Sequence, residues 1–128
     1  MHIFNLMTEY RETFLIGYLN DCQNQDLLNN PEGLRRLVRT AAKKSNTTVI
    51  RTHADKYPGQ GVTASATIGD SVILVQGWPE RMYALAIIHS SYSSMKSEEG
   101  MNYIVRRLQS GRAVIKRIKG YKLPPVVE

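Results

Sequence analysis

From Tyr10 to Leu19 apolar residues occupy alternate positions. Phe14, Ile16 and Tyr18 are set against Thr13, Leu15 and Gly17, and both sets are apolar enough for a strand with two covered faces. Asn30-Pro31-Glu32 supplies a helix start, with an amide cap, a proline at the first helical position and an acid in the first turn. Leu34, Leu37, Val38, Ala41 and Ala42 follow at helical spacing, while Arg35, Arg36, Arg39 and Lys43 fall mostly opposite them. The spacing predicts one amphipathic helix ending near Ser45-Asn46.

The period then shortens. Thr47 to Ala54 reads as a β-rich stretch, and Tyr57-Pro58-Gly59-Gln60-Gly61 as a loop. Val62, Ala64, Ala66 and Ile68 alternate with Thr63, Ser65 and Thr67. Gly69-Asp70 signals a tight turn into a strand over Ser71 to Gln76. A further strand runs from about Tyr83 to His89. Ser97-Glu98-Glu99 opens a second helix with Met101, Ile104, Val105 and Leu108 on one side, stopped by Gly111. Ala113 to Lys119 is a last strand, and Pro124-Pro125 marks a tail. The order β-α-β-β-β-β-α-β implies an α+β fold, a two-layer α/β sandwich with a mainly antiparallel sheet and two helices on one face. The length of 128 residues fits a single domain over 1–128.

Composition narrows the function classes. No apolar run reaches the roughly 20 residues that span a bilayer, and Met1-His2-Ile3-Phe4-Asn5 does not start a signal peptide. With one cysteine, Cys22, no internal disulfide forms, and a cytoplasmic setting is expected. His2, His53 and His89 share no metal-type spacing, so no metal site is expected. The net charge of +6 fits Lys and Arg on outer faces better than a nucleic-acid partner, because no DNA- or RNA-binding motif accompanies it. P-loop, dinucleotide and common hydrolase signatures are absent.

The informative region is Thr47 to Ser91. It holds Gly61-Val62-Thr63, the Gly69-Asp70-Ser71 turn, Gln76-Gly77-Trp78-Pro79-Glu80 and the hydroxyl-rich Ile88-His89-Ser90-Ser91. In order and spacing these resemble the Gly-Val-Ser, the Glu-Ser cleavage turn, the His-Thr-Trp-Pro-Glu and the Phe-Thr-Cys-Gly stretch of the prokaryotic S-adenosylmethionine decarboxylase proenzymes. The resemblance runs without a gap from about Thr47 to Ser91, and the element order matches over nearly the whole chain. It implies that members cut themselves before the serine, which becomes a pyruvoyl group, the electron sink for loss of CO₂. It also implies that members pair so that sites form between subunits, which here means a homo-oligomer, with a dimer favoured.

Residue by residue, the resemblance places Tyr57 at the adenine-stacking aromatic and Glu80 at the carboxylate that holds the ribose hydroxyls, so both are assigned to the adenosine moiety of S-adenosylmethionine. Ser71 matches the cleavage serine, preceded by Asp70 instead of Glu. Thr63 stands for the supporting serine and keeps its hydroxyl. Gln76 stands for the assisting histidine and cannot carry a proton near neutral pH. Ser91 stands for the proton-donating cysteine and is a far weaker acid than a thiol.

Because two proton-handling groups are replaced together, the expectation is an enzyme with no cofactor and no pyruvoyl group: a lyase in which Ser71, Gln76, Ser91 and Thr63 arrange S-adenosylmethionine. The substrate's own carboxylate would attack its γ-carbon, giving 5′-methylthioadenosine and homoserine lactone by proximity and orientation. Two alternatives stay open. One is a pyruvoyl-dependent decarboxylase of S-adenosylmethionine or another amino acid, self-cleaved at Asp70-Ser71. The other is a non-catalytic module that binds a nucleotide or nucleic acid.

Overall fold

The computed structural model describes residues 11–91, 94–122 and 124. Its strands are β1 (Arg11–Cys22), β2 (Arg51–Lys56), β3 (Val62–Ile68), β4 (Ser71–Trp78), β5 (Tyr83–Ser90) and β6 (Ser110–Lys122). They form one six-stranded sheet in the order β2-β3-β4-β5-β1-β6, every neighbouring pair antiparallel. Helices α1 (Gln25–Leu28) and α2 (Pro31–Lys44) connect β1 to β2, and α3 (Ser97–Leu108) connects β5 to β6. The result is the α+β sandwich that the residue pattern implies.

Strict alternation builds the two sheet faces. Ala64, Ala66, Ile73, Val75, Ala84, Ala86 and Ile88 are buried and form one core with Leu34, Leu37, Val38, Ala41, Met101 and Ile104 of the helices. Four of these sheet positions are alanine, so the helices sit close and their larger side chains fill the layer between. Asn30 caps α2, its Oδ1 accepting from Gly33 N at 3.0 Å. The two long helices also approach closely. A Cβ on Gly100 of α3 would overlap Ser45 Oγ and lie 2.9 Å from Ala41 O. Gly100→Ala is therefore expected to cost about 1–3 kcal/mol in urea unfolding, overpacking outweighing the better helix propensity of alanine. An unchanged or higher midpoint would contradict this helix contact.

The opposite face carries no helix among the described residues. Phe14, Ile16, Val72, Leu74, Trp78, Leu85 and Ile87 line it, each partly exposed. No described helix is long and apolar enough to cross a membrane.

Several boundaries differ from those read in the sequence. Residues 47–50 are not strand: Thr47 donates through N and Oγ1 to Ala42 O, at 3.2 and 2.6 Å, and so finishes α2 instead of pairing. Gln109 (φ 53), not Gly111, is the left-handed residue that ends α3, and β6 starts directly after it. The one-turn helix α1, capped by Asn24, is too short to leave a periodic signature. Tyr10, His2 and Pro125 lie outside the described residues.

Candidate functional site

The Tyr57–Gly61 loop turns β2 back into β3 with Gly61 at φ 112, a conformation L side chains rarely adopt. A Cβ there would lie 3.1 Å from both Gly77 O and Tyr57 Cδ2, so glycine lets the tyrosine ring settle against the strand ends. Asn29 braces the loop, accepting from Gly61 N at 3.2 Å and Lys56 Nζ at 2.6 Å. Thr63 and Gln76 are register partners whose side chains emerge on the helix-free face. Tyr57 Oη and Thr63 Oγ1 are 2.6 Å apart, and Gln76 Nε2 donates to both, at 3.2 and 3.3 Å. Tyr57 remains 41% exposed, which leaves ring surface for a flat ligand. Glu80 lies in the short 3₁₀ turn Pro79–Arg81, exposed, at the same end of the sheet.

A second cluster occupies the other end of the same strands. Gly69 (φ 67) and exposed Asp70 make the hairpin turn from β3 to β4, and Ser71 is the first residue of β4. Its side chain is 3% exposed. Ser91 N donates to Ser71 Oγ at 3.3 Å, and the two hydroxyl oxygens are 3.4 Å apart.

The six residues singled out in the sequence thus fall into two groups. Tyr57, Thr63 and Gln76 are in contact, with Glu80 nearby in the chain; Ser71 and Ser91 are in contact. Gln76 lies five positions beyond Ser71 along β4, about 17 Å at the rise of an antiparallel strand. Cys22 does not join either group. It is fully buried near the Glu80 end of β1, donates to Leu19 O at 3.3 Å, and burial pushes its thiol up to about 11. It therefore does not stand in for the missing proton donor.

One arrangement was invisible in the sequence, where His89 counted only as a scattered histidine. Its ring lies on the helix-free face at the Ser71 end, stacked on Phe14 with centroids 4.9 Å apart, and its Nε2 is 3.5 Å from Glu12 Oε1. Strand register across β1 and β5 creates this meeting, and no local motif announces it. Among the described residues there is no group of three or more His, Cys, Asp or Glu arranged to hold a metal.

The S-adenosylmethionine decarboxylase family model matches residues 13–120. The chain belongs to the S-adenosylmethionine decarboxylase family. It is similar to the S-adenosylmethionine decarboxylase proenzyme of Aeropyrum pernix, 30% identical over 96 residues that cover 75% of this chain and 73% of that one. It is also similar to the proenzyme of the same name from Thermodesulfovibrio yellowstonii, 25% identical over 116 residues, covering 91% of this chain and 77% of the relative. In fold it resembles the crystal structure of the adenosylmethionine decarboxylase from Aquifex aeolicus VF5, with a TM-score of 0.81 at 20% identity over 93% of this chain and 98% of that one.

Membership corrects the expectation of no cofactor and no pyruvoyl group, because the family's pyruvoyl group is made from its own chain by self-cleavage. It also favours the decarboxylase alternative over a pyruvoyl-free lyase. The physical reason lies in what the replacements at Gln76 and Ser91 cost. In the family self-cleavage happens once in the life of each chain, so a replaced cleavage helper such as Gln76 bears on the rate of a single event and not on every turnover. The replaced side chains also keep polar contacts: Thr63 and Gln76 still share hydrogen bonds, and Ser91 still directs an N–H at Ser71 Oγ.

Proposed function

We propose that this chain is a pyruvoyl-dependent S-adenosylmethionine decarboxylase, self-cleaved between Asp70 and Ser71. The observation that carries the reading is Ser71 itself: it follows a left-handed glycine turn, begins a central strand, and has its hydroxyl buried against Ser91. Those residues fit the group. Asp70 is exposed in the turn that precedes β4, and an N–H donor already points at the oxygen of Ser71. When formed, the pyruvoyl group supplies an electron sink for the charge left as CO₂ departs.

The rest is the work of the chain's own residues. Tyr57 offers a ring face to adenine, held by its hydroxyl's contacts to Thr63 and Gln76. Glu80 accepts hydrogen bonds from the ribose hydroxyls, a directional, charge-assisted contact. Gln76 and Thr63 supply hydrogen bonds toward the amino-acid end, and the hydroxyl of Ser91 borders the Ser71 position. Burial of Ser71 and Ser91 keeps water from the reacting end.

The separation of about 17 Å along β4 supports a homodimer. Two copies laid face to face with opposed strand directions would bring Tyr57, Thr63, Gln76 and Glu80 of one chain over Ser71 and Ser91 of the other. The apolar helix-free face suits such a contact, and burying it would exclude water from the shared site.

The test is incubation of the purified protein with S-adenosylmethionine labelled in its carboxyl carbon. Release of labelled CO₂ without methylthioadenosine is the expected result. Methylthioadenosine with homoserine lactone, or no turnover at all, would contradict the proposal.

A further inference from the structure

This chain has glutamine at the place of the assisting histidine and serine at the place of the proton-donating cysteine, yet proton transfer is needed for the chain to cut itself. The described residues contain two histidines, His53 and His89. His53 lies on edge strand β2, largely exposed and paired to Asp55 at 3.0 Å. His89 lies on β5 opposite Val72 of β4, so its backbone is offset by one residue from the cleavage serine on the adjacent strand. Adjacent strands run about 4.8 Å apart, and the ring emerges on the helix-free face, where the proposed substrate pocket lies.

The ring's surroundings are unusual for a packing histidine. Its side chain is only 17% exposed, and Nε2 is shut off from solvent without a hydrogen-bond partner among the described residues. That nitrogen lies 3.5 Å from Glu12 Oε1, near enough for attraction and too far and misaligned for a hydrogen bond. A buried polar atom without a partner is costly and calls for an explanation. Phe14 stacks on the ring and fixes its plane. An oriented imidazole beside a carboxylate, on the strand next to a scissile bond, is an arrangement suited to proton transfer.

We infer that His89, held by Phe14 and Glu12, carries the proton transfer in self-cleavage that Gln76 can no longer perform. The inference rests on the decarboxylase reading. In the first step Ser71 Oγ bonds to the carbonyl carbon of Asp70, the Asp70–Ser71 C–N bond breaks, and the hydroxyl proton passes to the nitrogen. The product is an ester with a free amine on Ser71. In the second step a base removes the Cα proton of Ser71, a Cα–Cβ double bond forms, and Cβ–Oγ breaks, so that Asp70 leaves as a carboxylate. Water then displaces the nitrogen as ammonia. Ser91 already touches Ser71 Oγ on the buried side. His89 stands on strand β5 beside β4, its ring on the opposite face from the Ser71 hydroxyl, and in this inference it takes the Cα proton in the second step. Glu12 stabilises the imidazolium that results.

The test compares self-cleavage of freshly synthesised wild-type, His89→Gln, Glu12→Gln and His53→Gln chains, by denaturing electrophoresis and intact mass over time. His89→Gln should slow cleavage on the order of 100-fold, within the range general acid–base groups contribute. It should also accumulate uncut chains that hydroxylamine splits after Asp70, because the ester forms but does not eliminate. A merely structural role would not produce that trapped ester. Glu12→Gln should slow cleavage about tenfold, and it keeps the inference testable if His89→Gln fails to fold. His53→Gln should cleave as wild type does. Wild-type rates in both the His89 and Glu12 variants would overturn the inference and leave the decarboxylase reading standing. A wild-type chain that never cleaves would overturn both.

Discussion

Ser71→Ala leaves a single uncut chain and no decarboxylation. The substitution removes one oxygen from a site already closed to solvent, so the fold is expected to persist: among the described residues the Ser71 hydroxyl's hydrogen bonds are to Ser91. Without that oxygen no ester forms at Asp70 and no pyruvoyl group follows. Enzymes accelerate their reactions by about a millionfold or more, so CO₂ release should fall at least a thousandfold, to background. Denaturing electrophoresis shows whether two fragments have become one, and the labelled-carboxyl assay shows the loss of turnover. A Ser71→Ala chain that still released CO₂ at the wild-type rate would place the chemistry elsewhere.

Glu80→Gln should strike binding while sparing cleavage. A carboxylate accepting from two vicinal hydroxyls makes charge-assisted hydrogen bonds worth about 1.5–3 kcal/mol each. An amide keeps one acceptor of lower charge. We expect KM for S-adenosylmethionine to rise about 10- to 100-fold, with kcat changed only a few-fold. In this reading Glu80 holds the ribose hydroxyls and takes no part in breaking the Asp70–Ser71 bond, so the chain should still split at the wild-type rate. The split between the two readouts is what distinguishes a ribose contact from a residue needed for folding. Unchanged KM would remove Glu80 from the site.

Much of this architecture was legible in the sequence because its signals are local. Asn30-Pro31 set the start of α2, and the alternation in Val62–Ile68 and Ser71–Trp78 set two central strands with their inner faces. The motif order from Thr47 to Ser91 pointed to the family. What failed was of two kinds. Helix ends depend on competition between nearby donors: Thr47 bonding back to Ala42 delayed β2, and Gln109, not the expected Gly111, took the left-handed position. The candidate site depends on register, which no spacing rule supplies. The six residues were assigned to one site by motif alone, with no reading of their place in the sheet; strand direction puts Ser71 and Ser91 at one end and Tyr57, Thr63 and Gln76 at the other. Register likewise brought Glu12 beside His89, from strands far apart in the sequence. The expectation against a pyruvoyl group erred by weighing the identity of two helpers above the geometry around the serine.

Mass spectrometry of the intact purified chain under denaturing conditions tests the central claim most directly. The account predicts two fragments, residues 1–70 and 71–128, the second lighter by one ammonia than a fragment starting with serine. A single full-length mass that persists after prolonged incubation would contradict it.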